Sequence, residues 1–311
     1  MNPIQTVMKS PAPIALFVYN RPQHLERTIR CLKNNELAGE SDLFVFSDGP
    51  KTIKDEAKIN EVRSIIHSIT GFGNLKIMEQ EKNIGLANSV ITGVTRLTEK
   101  FGKVIVMEDD LESSPYMLRY FNEALDKYQN EEQVMHIGAY MYPINPDGLP
   151  ESFFFRMATS WGWATWARAW KHFEPDIEKL FHQFDEDKIT AFSVDRSENF
   201  WKQVNELRTG KINSWAIRWY ASLFLAGGLA LHPGVSMTNN IGNDASGRHS
   251  ESTNMYDVKV SDKKITEFPE IIQENEDAYN RIKHFYRTRK GSWFNRAVRY
   301  IRTNVNRYNK L

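Results

Sequence analysis

Over the first 115 residues, short apolar runs alternate with amphipathic stretches. Residues 14–19 (IALFVY) are unbroken apolar positions, which predicts a buried strand. Asn20-Arg21-Pro22 ends it, and Pro22 suits the first turn of a helix over 24–34, with Leu25, Ile29 and Leu32 on one face. Leu43–Ser47 predicts a second strand, closed by Ser47-Asp48-Gly49-Pro50. An amphipathic helix over 57–69 carries Ile59, Val62, Ile65, Ile66 and Ile69 inward, and residues 75–78 form a third strand. Asn83-Ile84-Gly85-Leu86 opens a helix to about residue 100. The fourth strand is Val104 to Met107, which runs straight into Glu108, Asp109 and Asp110. Strands alternating with helices at this spacing predict an α/β fold, with a mostly parallel sheet covered by helices on both faces.

After Pro115 the rhythm changes. A helix over 116–128, a strand near 134–137 and an aromatic run at 153–155 lead into SWGWATWARAW at 160–170. Trp161, Trp163, Trp166 and Trp170 fall at helical spacing there, which places Trp166 and Trp170 in the core and leaves Trp161 and Trp163, around Gly162, for a pocket. Residues 176–198 are charged, as helix or loop. Trp215–Leu225 reads as a buried helix, 229–232 as a strand, and NNIGNDASGRH at 239–249 as a polar, glycine-containing functional loop.

From Arg281 onward ten basic residues and no acids occur, with Trp293, Phe294, Ala297, Val298, Ile301, Val305 and Tyr308 at roughly helical spacing. This C-terminal basic amphipathic helical tail has the pattern of an in-plane membrane-surface segment, so peripheral membrane contact through 281–311 is expected. A helix docked on the domain would give the same pattern.

Composition adds boundaries. With 311 residues, 41% hydrophobic and 25% charged, the chain can build a sizeable core. The net charge of +1 gives no overall field for nucleic acid, and none is expected as a partner. One cysteine, Cys31, excludes an internal disulfide and a cysteine-built zinc site, and suits a reducing compartment. The opening residues lack an apolar stretch after a basic start, and no run reaches about 18 apolar residues, so neither a signal peptide nor a span is expected.

The candidate chemistry sits in four loops: Asn20-Arg21-Pro22, Ser47-Asp48-Gly49, Asn83-Ile84-Gly85-Leu86 and Glu108-Asp109-Asp110. Each follows a predicted parallel strand, so all should open on one edge of the sheet. Three consecutive carboxylates repel one another and call for a cation; hard oxygen ligands point to a divalent ion shared with a diphosphate. Arginine, an Asp-Gly pair and a glycine turn at a helix start complete a set suited to a nucleotide diphosphate. Taken singly, each has a plainer reading: an acidic turn in solvent, a turn aspartate, an exposed helix-start arginine, an N-cap asparagine.

PIALFVYNRPQHLERTI, VFSDGP, EKNIGLANSV and KVIVMEDDLESSPYMLRYFNEAL, in this order, resemble the nucleotide-sugar half of GT-A (Rossmann-like) glycosyltransferases, the N-acetylglucosaminyltransferase I type in particular, where an E-D-D cluster serves as the DXD motif. FFFRMATSWGWATWARAW resembles the start of that family's acceptor side, so the likeness spans residues 13–170. It implies a glycosyltransferase domain over 1–265, with a nucleotide-sugar half at 13–112 and an acceptor half at 113–265, followed by a helical basic tail at 266–311. It implies Asp110 as direct metal ligand, Mn2+ or Mg2+ as the ion, and Glu108 and Asp109 on the ribose or diphosphate side of a nucleotide-sugar donor. Asp48 would read the base, uracil, with Arg21 and its neighbour Asn20 bracing it, and Asn83 and Gly85 would line the diphosphate side. His249 would be a late metal or diphosphate histidine, and Trp161 and Trp163 would meet the acceptor. Relatives carry their catalytic aspartate in the segment occupied here by Asn213-Ser214-Trp215-Ala216-Ile217-Arg218-Trp219, which has no acid. Asp244 is the substitute expected here, with Glu174 and Asp176 behind it. The implied activity is inverting transfer to a polysaccharide or lipid-linked glycan such as lipopolysaccharide, in the cytoplasm at the inner face of the cell membrane. The other readings are a sugar nucleotidyltransferase, which would want a glycine-rich loop where NRPQHLERT stands, and a non-catalytic glycan-binding protein that kept the fold.

Overall fold

Eight strands form one central sheet in the computed structural model, which describes residues 10–244 and 254–289. The chain begins β1 (Ile14–Val18), α1 (Pro22–Lys33), β2 (Leu43–Ser47), α2 (Glu56–His67), β3 (Leu75–Glu79), α3 (Leu86–Phe101) and β4 (Lys103–Glu108). These four strands are mutually parallel where they pair, and Ile14 registers with both Leu43 and Ile105. Val104 to Met107 are at most 1% exposed, which is why an unbroken apolar run marks this strand.

Then follow β5 (Leu111–Ser113), α4 (Met117–Lys127), β6 (Val134–Gly138), β7 (Ser152–Phe155), β8 (Trp163–Trp166), α5 (Ala167–Trp170), α6 (Ile177–Phe181), α7 (Glu186–Phe192), α8 (Phe200–Arg208), α9 (Trp215–Leu225), β9 (Leu229–Pro233), β10 (Thr238–Asn240) and α10 (Glu276–Thr288). The sheet order is β3-β2-β1-β4-β8-β6-β9-β7. β8 runs antiparallel to β4 and β6, and β7 antiparallel to β9, so the sheet is mixed in its second half. The first two connections run outward on one side of β1, and β4 returns on the other. The carboxyl ends of β1 and β4 therefore flank a topological switch point, where an open sheet leaves a crevice.

The tryptophan segment departs from the helical expectation. Trp163 and Trp166 lie in strand β8, on opposite faces of the sheet. The Trp166 indole donates to the Leu125 carbonyl on α4, and Trp163 stacks on Trp215 of α9, 5.1 Å between ring centres. A central strand buried on both faces shows no alternation, and tryptophans three apart then imitate a helix.

Residues 266–289, expected in a separate tail, pack against the domain. Arg156 pairs with Glu274, the Asn275 amide donates to the Phe154 carbonyl, and α10 buries Ala278, Ile282 and Tyr286 beside Phe153, Phe155 and Phe192. Three basic residues here are engaged: Arg281 with Asp277, Lys283 with Asp195, and Arg289, just beyond the helix, with Glu198; Arg287 is exposed. The rest of the expected membrane segment, 290–311, lies outside the described residues. No described helix is long and apolar enough to cross a membrane.

Candidate functional site

A cavity of about 550 Å³ opens at the carboxyl ends of β1, β2 and β4. Asn20, Arg21, Asp48, Asn83, Gly85, Glu108, Asp109, Asp110 and Trp161 all line it. Four loops read separately from the sequence thus meet around one space, as parallel strands require.

The acidic loop is held from three sides. Thr28 of α1 clamps it, its hydroxyl donating to the Asp109 carbonyl and accepting the Leu111 amide. The Tyr19 amide donates to the Asp109 carboxylate at 3.1 Å. The short β5–β10 pair fixes the far side, where the Ile241 amide donates to the Asp110 carbonyl. Of the Asp110 carboxylate oxygens, Oδ2 meets Arg21 Nη1 at 2.7 Å, and Oδ1 accepts the Asn240 amide at 3.2 Å. Burial, reinforced by repulsion from Asp110 and Asp109, pushes the Glu108 carboxyl up to about 8; the Trp215 side chain, which hydrogen-bonds it, and Arg21 pull the other way. Burial and Asp110 push Asp109 up to about 7. Burial also raises Asp110, against the pull of Arg21 and His24.

One buried carboxyl, Asp110, and two half-buried ones, Glu108 and Asp109, thus crowd around one guanidinium that contacts only Asp110, too little positive charge for all to ionise together. The donor set is hard oxygen, which fits a divalent ion. Among the described residues no three acidic, histidine or cysteine side chains converge as a ready-made cage. An ion here would take one or two carboxylates and complete its shell from a ligand's phosphates and water, the usual habit of Mg2+. The residues present fit that arrangement, with Asp110 nearest the cleft's β10 wall.

Asp48 is deployed differently from the expectation. Its Oδ1 accepts the Gly49 and Ile84 amides at 2.8 and 2.9 Å, and its Oδ2 accepts the Asn83 side chain and the Gly85 amide, both at 2.9 Å. A carboxylate has about four lone-pair sites, and all are filled. To read a base, Asp48 would have to release one. Its evident work is to fasten the Asn83–Gly85 turn, where Gly85 takes a φ of +82°, onto the end of β2. Asp48→Ala should strand these donors, one buried and three part-buried, and lower stability by about 3 kcal/mol, roughly 6–12 °C in thermal unfolding. A loss below about 2 °C would show that the loop holds itself.

Other expected residues separate. Trp161 is half-buried on the cavity wall, but Trp163 is fully buried, stacks on His136 and Trp215, and does not line this cavity. A strand position sealed between α9 and its neighbours cannot meet an acceptor, so Trp163 leaves the acceptor set. Asp244 follows Gly242 and Asn243 of the lining and meets His24 Nε2 at 3.1 Å, its side chain 48% exposed. Asp176 caps α6, and Glu174 accepts the Asp176 amide; neither lines this cavity. His249 lies outside the described residues. The acid-free 213–219 segment forms the start of α9, capped by Ser214, with Trp215 beneath Glu108.

The lining also includes Tyr19, Lys51, Asp55, Asn240, Gly242 and Asn243, none of them singled out from the sequence. The polar NNIGND stretch carried a signal for the last three. The approach of Asn240 and Gly242 to Asp110 depends on β10 pairing with β5, which no local pattern announces.

The family model described as glycosyl transferase family 2 matches residues 14–195. No curated protein matches the chain. Among solved structures, S. aureus TarS is 17% identical over 47% of this chain and 24% of its own, with a TM-score of 0.31. This chain therefore spans about a quarter of TarS. A mannosyltransferase from Pyrobaculum calidifontis, PcManGT, solved with GDP-Man and Mn2+, is 11% identical over 70% of this chain and 72% of its own, with a TM-score of 0.36. At these scores the two structures are neighbours only, and the family assignment rests on the 14–195 match.

Proposed function

This chain belongs to glycosyl transferase family 2, and we propose that it transfers a sugar, with inversion, from a UDP-linked donor to a hydroxyl of a polysaccharide or lipid-linked glycan. The observation that carries the reading is the meeting of Glu108, Asp109, Asp110 and Arg21 at the switch point between β1 and β4, under one cavity. The motifs' likeness to the N-acetylglucosaminyltransferase I type supports this reading, and the group moved is a hexosyl or N-acetylhexosaminyl unit.

In this reading the donor lies across the ends of β1, β2 and β4. Asn20 and Arg21 brace its nucleotide, and the Asn83–Gly85 turn, pinned by Asp48, bounds the diphosphate. Glu108 and Asp109 face the ribose or diphosphate side, and Asp110 would hold Mn2+ or Mg2+. The bound ion would neutralise charge developing on the leaving diphosphate. The acceptor oxygen forms a bond to the anomeric carbon while that carbon's bond to the diphosphate oxygen breaks. The acceptor proton passes to a carboxylate, for which we assign Asp244, oriented by His24 beside the cleft mouth. Asp244→Asn should lower turnover at least about a hundredfold with donor affinity retained. Near-normal turnover would remove Asp244 from the role.

Donor hydrolysis measured with Mn2+ across a panel of nucleotide sugars tests the activity. Release of free sugar and UDP from one donor supports the proposal and names the sugar. Pyrophosphate release from a nucleoside triphosphate and a sugar phosphate would indicate a nucleotidyltransferase. Binding with no turnover on any donor would indicate a non-catalytic glycan-binding protein. The proposed setting is the cytoplasmic membrane face. Because Arg281, Lys283 and Arg289 are already paired with acids, the lipid contact would fall to Arg287 and residues 290–311.

A further inference from the structure

A second cavity, of about 310 Å³, lies on the other side of Trp161, whose side chain lines both spaces. This volume is at the lower end of small-ligand pockets. Its wall is aromatic. Tyr140 sits edge-on to Trp161 at 4.5 Å between ring centres, Tyr256 meets Trp161 at 5.8 Å, and Tyr142 meets Tyr286 at 5.0 Å. The hydroxyls of Tyr142 and Tyr286 hydrogen-bond each other and both reach the Met157 sulfur, so this tyrosine pair is already partnered.

Two charged side chains, Arg289 and Glu198, complete the wall. Arg289 follows α10, and its side chain is only 4% exposed. Its guanidinium lies over Tyr286 at 4.7 Å and Tyr256 at 5.6 Å, and it pairs with Glu198. Yet its Nε and Nη1 are buried with no hydrogen-bond partner among the described residues. Buried donors left unmade are costly, and an unpaired arginine edge in a cavity wall points to a ligand oxygen.

We propose that this cavity binds the sugar of the acceptor that receives the transfer, as a neutral pyranose. Tyrosine and tryptophan rings cover the apolar face of a pyranose, and Nε and Nη1 of Arg289 donate to its oxygens. Glu198 already balances the arginine, so no net charge is left to favour a carboxylate or phosphate ligand over a neutral one. The shared Trp161 places this sugar beside the donor cleft. The assignment rests on the transferase reading for the word acceptor; the sugar site itself rests on the cavity.

Calorimetry on the full chain, in UDP and Mn2+, with methyl glycosides of neutral hexoses and N-acetylhexosamines and with methyl glucuronide as probes, tests it. Removing Arg289 alone would strand Glu198, so the variant is the pair Arg289→Ala with Glu198→Ala. Gln203→Trp, which fills the cavity instead of opening it, stands in should that pair not fold. At least one neutral glycoside should bind the wild type, and either variant should weaken it at least about tenfold while UDP affinity stays within about twofold. UDP binding with glycoside affinity untouched by the variants, with no glycoside bound, or with only the glucuronide bound, would overturn the inference and leave the donor reading standing. Variant-sensitive glycoside binding in a chain that never binds UDP would keep the sugar site and overturn the transferase reading.

Discussion

Asp110→Asn should lower sugar transfer by about a thousandfold or more, close to 4 kcal/mol of transition-state stabilisation, while leaving the protein folded. The substitution keeps shape and one acceptor oxygen and removes a single negative charge. In the ligand-free chain that charge raises the Glu108 and Asp109 carboxyls, so losing it relieves repulsion, and the unfolding temperature should hold or rise. Arg21 loses its partner, but at 17% exposure its side chain retains access to water. What is lost is the carboxylate proposed to hold the ion against the departing diphosphate, a contribution of several kcal/mol. Kinetics with and without Mn2+, alongside thermal unfolding, separate the outcomes. Transfer within about tenfold of wild type would place the ion elsewhere, and a collapse in stability would make Asp110 a structural residue.

Gly242→Ala should cost about a hundredfold in transfer without altering any functional group. A Cβ built there would stand 2.1 Å from Asp110 Oδ2 and 2.6 Å from Arg21 Nη1, closer than real Cβ atoms approach their neighbours. One of the two must swing away, and the Asp110–Arg21 pair at 2.7 Å cannot survive as it stands. Displacing a reacting group by about an ångström is known to cost on this scale. Gly85 offers the contrast. No atom stands within 4 Å of its Cβ position, but its φ of +82° makes any side chain strained. An alanine at 242 should therefore show near-normal unfolding with impaired Mn2+-dependent UDP binding. Unimpaired binding would show that the 242 backbone yields more readily than the acidic loop.

The first four strands and three helices were legible because each is a local pattern: an apolar run, a turn residue, an amphipathic face. Leu43–Ser47 and Trp215–Leu225 coincide with their expected bounds. The convergence of Arg21, Asp48, Asn83 and Asp110 followed from topology, since loops after parallel strands share an edge. Where three-residue strands do the positioning, the pattern is too short to read. LES and TNN show no period, yet their pairing brings Asn240 and Gly242 to Asp110. The Trp163 segment misled because full burial on both faces of a strand erases alternation. Asp48 was visible as a turn aspartate, but its four loop donors depend on β3 and α3 arriving at the right height. The basic tail looked free because its counter-charges, Asp195 and Glu198, lie some 90 residues earlier. The second cavity depends on the same long-range docking of α10, and so escaped the sequence entirely.

Anomalous diffraction at the manganese edge, from crystals soaked in UDP and Mn2+, addresses the donor assignment most directly. The account requires one manganese peak in coordination contact with an Asp110 carboxylate oxygen and with diphosphate oxygens of a nucleotide seated over β1 and β4. A nucleotide bound away from that cleft, or a manganese peak that does not touch Asp110, would contradict it.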